Sequence, residues 1–442
     1  MNQGRRTVLG LAVMGTMSGV VRAAPGDAAL DRELAAIAND PDCQLASLSV
    51  LAIRHGKLRY EQQFGQRLHG AAPRPANVRT LYRIASISKM MTTLGLMMLV
   101  EQGKLALDAD AGGYLGFALR NPHFPDRVIT LRTLLSHTSS LRDDAGYSWP
   151  CDTALSTILV PGAARFGKGE MWAANAPPGA YFTYCNLGFG VIGTIMERVT
   201  GERFDRLMKR LLLAPMGLHG GYNPSEFSAE DLANVAALYR KRTVDTEVWD
   251  AAGPWIAQVD DYSERAPRPP AGIADYVAGT NATPFSPTGG LRISAHDMGQ
   301  VMLMLMNEGV HQGRRMLKAA TIAQMFARQW TADGNGGNGD TYRGLFNCWG
   351  LGNQQFPDSA GMQLVEGGGF TALGHLGDAY GLMSVFVFDP ASRNGMVALI
   401  GGTSSDPEQQ RGVHSSMARF EERILSALYQ RALVDKKIAK SG

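Results

Sequence analysis

Ser86-Ile87-Ser88-Lys89 places a lysine three positions after a serine at the start of an apolar helical segment. Residues i and i+3 share a helix face, so the amine would sit beside the hydroxyl. A serine hydroxyl is a weak nucleophile unaided, and a desolvated lysine gives up its proton more readily and can act as base or relay. The N-terminal end of a helix adds N–H groups that favour a developing oxyanion. The bland reading of these residues is an N-cap serine followed by a surface lysine, so the pair needs partners. Tyr184-Cys185-Asn186 is the only Tyr-x-Asn in the chain and follows Pro177-Pro178-Gly179, whose turn chemistry sets it on a loop or a loop-to-helix junction. In extended backbone the phenol and amide face one side, the first suited to proton transfer and the second to holding a substrate carbonyl or a lysine. Its plain alternative is a buried tyrosine with a helix-capping asparagine. His375-Leu376-Gly377 precedes a strand pattern at 381–388, and glycine there would let a substrate lie along a strand edge.

Positioning these groups is the task of the surrounding elements. Alternating apolar residues predict two strands around His55-Gly56-Lys57, a hairpin opening the fold. Residues 86–102 read as a buried helix rich in Met and Leu, ending near Gly103. From about 104 to 340 helical patterns (131–136, 187–200, 203–213, 229–239, 295–307, 319–328) alternate with loops rich in Pro and Gly, and Gly334–Gly339 reads as a mobile loop. Strand patterns return at 349–352, 381–388 and 395–400, before a final helix over about 412–433. Strands at both ends and helices between predict an α+β fold: one antiparallel sheet from the N- and C-terminal segments flanked by helices, with an inserted, mainly helical subdomain. The α/β part spans about 45–85 and 341–435 and the helical part about 86–340, with the cleft between them.

Composition limits the function classes. The chain has 442 residues, 45% of them apolar and 19% charged, as a soluble globular protein does. Its net charge is +3, which gives no electrostatic reason to expect nucleic acid as partner. Residues 1–24 combine Arg5 and Arg6, a glycine-diluted apolar stretch and Ala23-Ala24; this reads as a twin-arginine-like signal peptide, leaving residues 25–435 as the domain and no stable transmembrane segment after cleavage. Removing that signal takes away Arg5, Arg6 and Arg22 and no acid, so the positive charge belongs to the signal. The expected location is periplasmic or secreted. Neither Cys-x-x-Cys nor His-Glu-x-x-His occurs, which disfavours metal chemistry. Oligomeric state is beyond the reach of these patterns.

Taken in order, Ser86-x-x-Lys89, Tyr184-x-Asn186 and His375-x-Gly377 resemble the three elements of the penicillin-recognising serine hydrolases, in particular the class C β-lactamase and DD-carboxypeptidase branch. Tyr82 to Ala85, Leu134 to Leu141, Gly289-Gly290-Leu291 and Ser294 to Asp297 extend the likeness over about residues 45–430. The resemblance implies a β-lactamase/transpeptidase-like fold and an acyl-enzyme mechanism without cofactor or metal. Ser86 would attack a carbonyl, Lys89 and Tyr184 would move its proton, Asn186 would orient the substrate, and the N–H groups of Ser86 and Asp378 would form the oxyanion hole. His375 and Gly377 would line the substrate strand. Histidine replaces the fixed lysine of the β-lactamase pattern and is only partly charged near neutral pH, which points to a peptidase or esterase on D-amino-acid peptides, muropeptides or small esters. A class C-like β-lactamase and a non-catalytic penicillin- or peptidoglycan-binding relative are the alternatives. Cys185 departs from the common serine or alanine and is a disulfide candidate with Cys151. Gly188 to Gly193 match a dinucleotide glycine pattern letter for letter, but a close-packed helix explains them better. Asp108-Ala109-Asp110 reads as a helix-start turn and His137 as a structural hydrogen-bonding residue.

Overall fold

The computed structural model describes residues 27–243 and 245–434; the signal reading at 1–24 lies outside them. A nine-stranded sheet runs in the spatial order Trp330–Thr331, Cys348–Trp349, Gln354–Phe356, Ala372–Ala379, Leu382–Asp389, Asn394–Ile400, Ser47–Arg54, Lys57–Leu68, Arg74–Pro75, with every neighbouring pair antiparallel. The first and last thirds of the chain thus close one sheet, and the fold is α+β.

The central strands are apolar almost throughout because both faces are covered, and the two-residue period of a strand sorts their side chains. Leu48, Val50, Ala52, Val385, Val387, Met396, Ala398 and Ile400 face one way, against Leu30, Leu34, Ile424, Leu425 and Leu428 of helices Ala28–Ala38 and Arg419–Leu428. Leu51, Ile53, Phe386, Phe388, Val397 and Leu399 face the other, against Met90, Leu94, Met298, Val301 and Met302 of helices Ile87–Glu101 and Ala295–Met306. Each such side chain contributes about 1.5–3 kcal/mol by leaving water, so the helix carrying Ser86 and Lys89 is clamped to the sheet by its apolar neighbours. At the hairpin, His55 (φ 48°) and Gly56 (φ 71°) take the left-handed conformations that a two-residue turn requires.

Several elements differ from the sequence pattern, each through a tertiary contact. Helix Ala28–Ala38 is capped by Asp27 and covers the sheet; it had no place in the expected sheet and helices. The 229–239 helix ends at Asn234, because Tyr239 N–H bonds to Gly401 O and draws Leu238–Arg240 into a small sheet with Gly402–Thr403 and Ile256–Val259. The last helix starts at Arg419 rather than 412, since Val413, His414 and Ser415 donate their N–H groups to the buried Glu422 carboxylate. Among the described residues no helix is long and apolar enough to cross a membrane.

Candidate active site

Ser86 stands at the N-cap of Ile87–Glu101 with helical backbone angles (φ −65°, ψ −13°) and makes no capping hydrogen bond. An N-cap side chain reaches back to the helix from extended backbone; here that geometry is absent and the hydroxyl is free for other work. Ala85, just before it, is held at φ 46°, a strained conformation for a residue with a Cβ.

Lys89 is fully buried, so the surface-lysine reading fails. Its Nζ donates to Ser86 Oγ at 3.0 Å, Asn186 Oδ1 at 2.7 Å and Thr288 O at 3.1 Å, and it lies 4.7 Å from the centre of the Tyr184 ring. Burial lowers the amine pKa to about 7, with the negative charge of Asp143 working against the fall. Near neutral pH a large share of Lys89 is therefore an unprotonated amine in contact with the serine. The Tyr184 phenol is pushed the other way by burial, a hydrogen bond with Ser86 opposing the rise. Of the two, Lys89 is the group that can be without its proton near neutral pH, and Tyr184 keeps its own.

The Tyr184 ring stacks on Phe346 (5.0 Å, 10° between planes) and leans on His137 (4.5 Å). His137 is buried, its pKa depressed by that burial, and its Nδ1 accepts the Cys185 N–H at 3.0 Å; it is a structural hydrogen-bonding residue, as its setting suggested. The glycine-asparagine run is tied down at its far end rather than loose. Asn338 O accepts from Phe182 N and Trp330 Nε1, while the Asp340 carboxylate accepts from Tyr181 and Thr183.

Asn186 Oδ1 accepts from Lys89 and from Thr288 Oγ1 (2.6 Å), and one N–H of Nδ2 goes to Asp143 Oδ2 at 2.8 Å. Its amide thus holds the lysine, one of the two tasks its place in the Tyr-x-Asn triplet suggested. Asp143 is the residue that sequence reasoning missed. Its two oxygens accept from Asn186 N, Leu187 N and Asn186 Nδ2, all at 2.8 Å, and from Cys185 Sγ at 3.3 Å. It thereby caps helix Asn186–Thr200, whose own N-cap, Cys185, supplies no side-chain bond. The sequence carried no signal for it, because a helix read over 187–200 has Asn186, itself a good capping residue, at its N-cap, whereas the helix starts one residue earlier, on Cys185. The candidate Cys151–Cys185 disulfide is not formed: both are free buried thiols, and Cys185 Sγ is turned onto Asp143.

Asp143→Asn keeps the shape, removes the charge and turns an NH₂ toward N–H donors. The expected result is a fall of about 10²-fold in kcat/KM from misplacement of Asn186 and Lys89, with the acid limb of the pH profile moving to lower pH, because the charge that favours the ammonium is gone. Unchanged activity and an unchanged limb would count against this role.

His375, Gly377 and Asp378 lie on strand Ala372–Ala379 at a cleft of about 860 Å³ that Ser86 and Tyr184 also line. A Cβ at Gly377 would come within 2.5 Å of Ile84 O and 3.2 Å of Ser86 N, so only glycine lets the strand pass this close to the serine. His375 is buried, and its pKa falls to about 3, first through desolvation and then through the neighbouring Lys89. It is neutral rather than partly charged. With Nδ1 2.5 Å from Leu376 O, and so carrying the proton, Nε2 is a buried acceptor without a partner among the described residues. The close-packed glycine helix behaves as expected: a Cβ at Gly193 would lie 2.4 Å from Pro287 Cγ, and this close approach brings Thr288 to Lys89. Asp110 caps the short helix Ala111–Leu115, the helix-start turn read at 108–110.

Comparison with known proteins agrees with this geometry. The Beta-lactamase family model matches residues 27–415. Penicillin-binding protein 4 of Amycolatopsis lactamdurans is 28% identical over 335 residues, 75% of this chain and 74% of that protein. Esterase EstB of Burkholderia gladioli is 30% identical over 188 residues, 40% of this chain and 46% of that one. Among solved structures, a D-amino acid amidase from Ochrobactrum anthropi SV3 complexed with D-phenylalanine superposes with a TM-score of 0.61 at 18% identity, covering 91% of this chain and 99% of the other, a likeness of fold.

Proposed function

Because the chain belongs to the beta-lactamase family of serine hydrolases, we propose that it is an exported acyl hydrolase working through an acyl-Ser86 intermediate. Its substrates are D-amino-acid peptides, muropeptides or small esters. The observation that carries this reading is the buried Lys89 amine, with a pKa near 7, 3.0 Å from a serine hydroxyl left free of capping.

Ser86 Oγ attacks the substrate carbonyl as its proton passes to Lys89 Nζ, and the Tyr184 phenol passes a proton to the leaving group. The oxyanion is met by the N–H groups of Ser86 and Asp378, the two strands of evidence for this hole being the helix N-terminus at Ser86 and the contact of Gly377 with it. Water then attacks the ester, giving its proton to the same relay, and Ser86 leaves with a proton restored. Asn186 and Asp143 hold the lysine in register. His375, buried and neutral, presents no cation where a β-lactamase would have one, which favours ester and peptide substrates over lactams carrying a carboxylate at that point.

Incubation with a fluorophosphonate or a penicillin, followed by peptide mass spectrometry, is expected to find the adduct on Ser86. Turnover of p-nitrophenyl acetate or D-alanine p-nitroanilide is expected to exceed that of nitrocefin at least about tenfold. An unlabelled Ser86 in folded protein overturns the acyl-enzyme reading; faster turnover of nitrocefin overturns the substrate class and favours a β-lactamase.

A further inference from the structure

The far wall of the catalytic cleft carries two arginines that the mechanism does not use. Arg240 ends the short strand Leu238–Arg240, and Arg242 follows two residues later. Both line the cleft with Ser86. Trp249 sits with them: the Arg240 and Arg242 guanidinium carbons lie 5.8 Å and 5.3 Å from the centre of its ring. A π-face steadies a guanidinium without neutralising it. The stem of Arg240 is seated by the turn after the substrate strand, where a Cβ at Gly381 would meet Arg240 Cγ at 2.9 Å.

Their charges are poorly matched inside the protein. Among the described residues no carboxylate oxygen comes within 4 Å of the Arg240 guanidinium, and Arg242 has only Glu247, at 3.7 Å on a side chain that is 74% exposed. The Nε atoms of both are buried without a hydrogen-bond partner. Asp378, Glu247 and Asp406 act on Arg240 only through space, and Glu408, also at the cleft, is already paired with Arg343 and Arg411. Neighbouring guanidiniums without a close internal counter-ion match a carboxylate in geometry and charge.

We infer that Arg240, Arg242 and Trp249 form an anion subsite, and that the preferred acyl substrates carry a carboxylate on the acyl side, several bonds from the scissile carbonyl. This rests on the acyl-hydrolase reading.

Binding to the Ser86→Ala variant separates the two claims, since it needs no turnover. Calorimetry with glutarate and with its uncharged diamide, glutaramide, is expected to show glutarate at least about tenfold tighter. That preference is expected to be lost in the added Arg240→Gln/Arg242→Gln pair, kept in large part by Arg240→Lys/Arg242→Lys, and to weaken steeply between about 20 mM and about 0.5 M salt. In wild type, the ratio of kcat/KM for mono-p-nitrophenyl glutarate over p-nitrophenyl butyrate is expected to fall at least about tenfold with the glutamine pair. Equal binding of the two ligands, a preference that survives the glutamine pair, or one indifferent to salt overturns the subsite; the salt series decides if the glutamine pair fails to fold. Failure to turn over either ester while glutarate still binds counts against the acyl-hydrolase reading alone.

Discussion

Ser86→Ala is expected to lower turnover of every acyl substrate by about 10⁴- to 10⁶-fold and to abolish covalent labelling, while leaving the fold intact. The effect is large because no second hydroxyl can take over. Ser88, the nearest serine in the chain, is fully buried, and its Oγ accepts the Leu291 N–H at 3.1 Å, so it faces the 288–291 segment and not the cleft. The structural cost should be small, because Ser86 makes no capping bond and the helix it begins is held by apolar packing. The measurement is single-turnover kinetics with a p-nitrophenyl ester, beside a thermal melt of both proteins. Residual activity within about tenfold of wild type would place the nucleophile elsewhere.

Lys89→Met is expected to cost about 10²- to 10⁴-fold in kcat/KM, the usual worth of a positioned general base. The sign of the pH dependence follows from the lowered pKa. Burial disfavours the ammonium, so the amine is neutral above about pH 7 and protonated below it. Only the neutral amine can accept the serine proton; wild-type kcat/KM should therefore fall as pH drops through about 7, and that limb should vanish in Lys89→Met. An acid limb that persists in the variant would assign it to another group. The other buried bases at the site are poor candidates: His375 and His137 are both shifted far below neutrality by burial and by the charge of Lys89, and so hold no proton to lose in this range.

The parts of the site legible in the sequence were those whose chemistry is local. Ser86 and Lys89 lie one helical turn apart, and that spacing alone sets the amine against the hydroxyl. Tyr184 and Asn186 lie either side of a helix start announced by Pro177-Pro178-Gly179. The sheet was legible for a similar reason: a strand buried on both faces reads as an apolar run, as 382–389 and 394–400 do. Where reading stopped short, a partner distant in the chain had intervened. Asn186 could be read as holding a substrate carbonyl or a lysine, and its contact with Lys89 depends on Asp143, 43 residues earlier, which holds its amide and turns its oxygen to the amine. Cys185, a candidate for pairing with Cys151, gives its thiol to the same carboxylate instead. Residues 413–415 had a helical pattern, yet unwind around Glu422, whose carboxylate needs their N–H groups.

Sequence by itself determined the proposed nucleophile and the amine set beside it, the order of the three elements and the α+β class, because each depends on residue type and on spacing within a helical turn or a strand. Tertiary structure alone decided the protonation states and the assignment of neighbours. A lysine reaches a pKa near 7 only when the sheet and helix Asn186–Thr200 strip its water, a histidine becomes a neutral acceptor only when buried beside that lysine, and Arg240 meets the cleft of Ser86 only because Gly401 and Gly381 seat its strand there. Desolvation and long-range pairing depend on what surrounds a group in space, and chain spacing does not encode that.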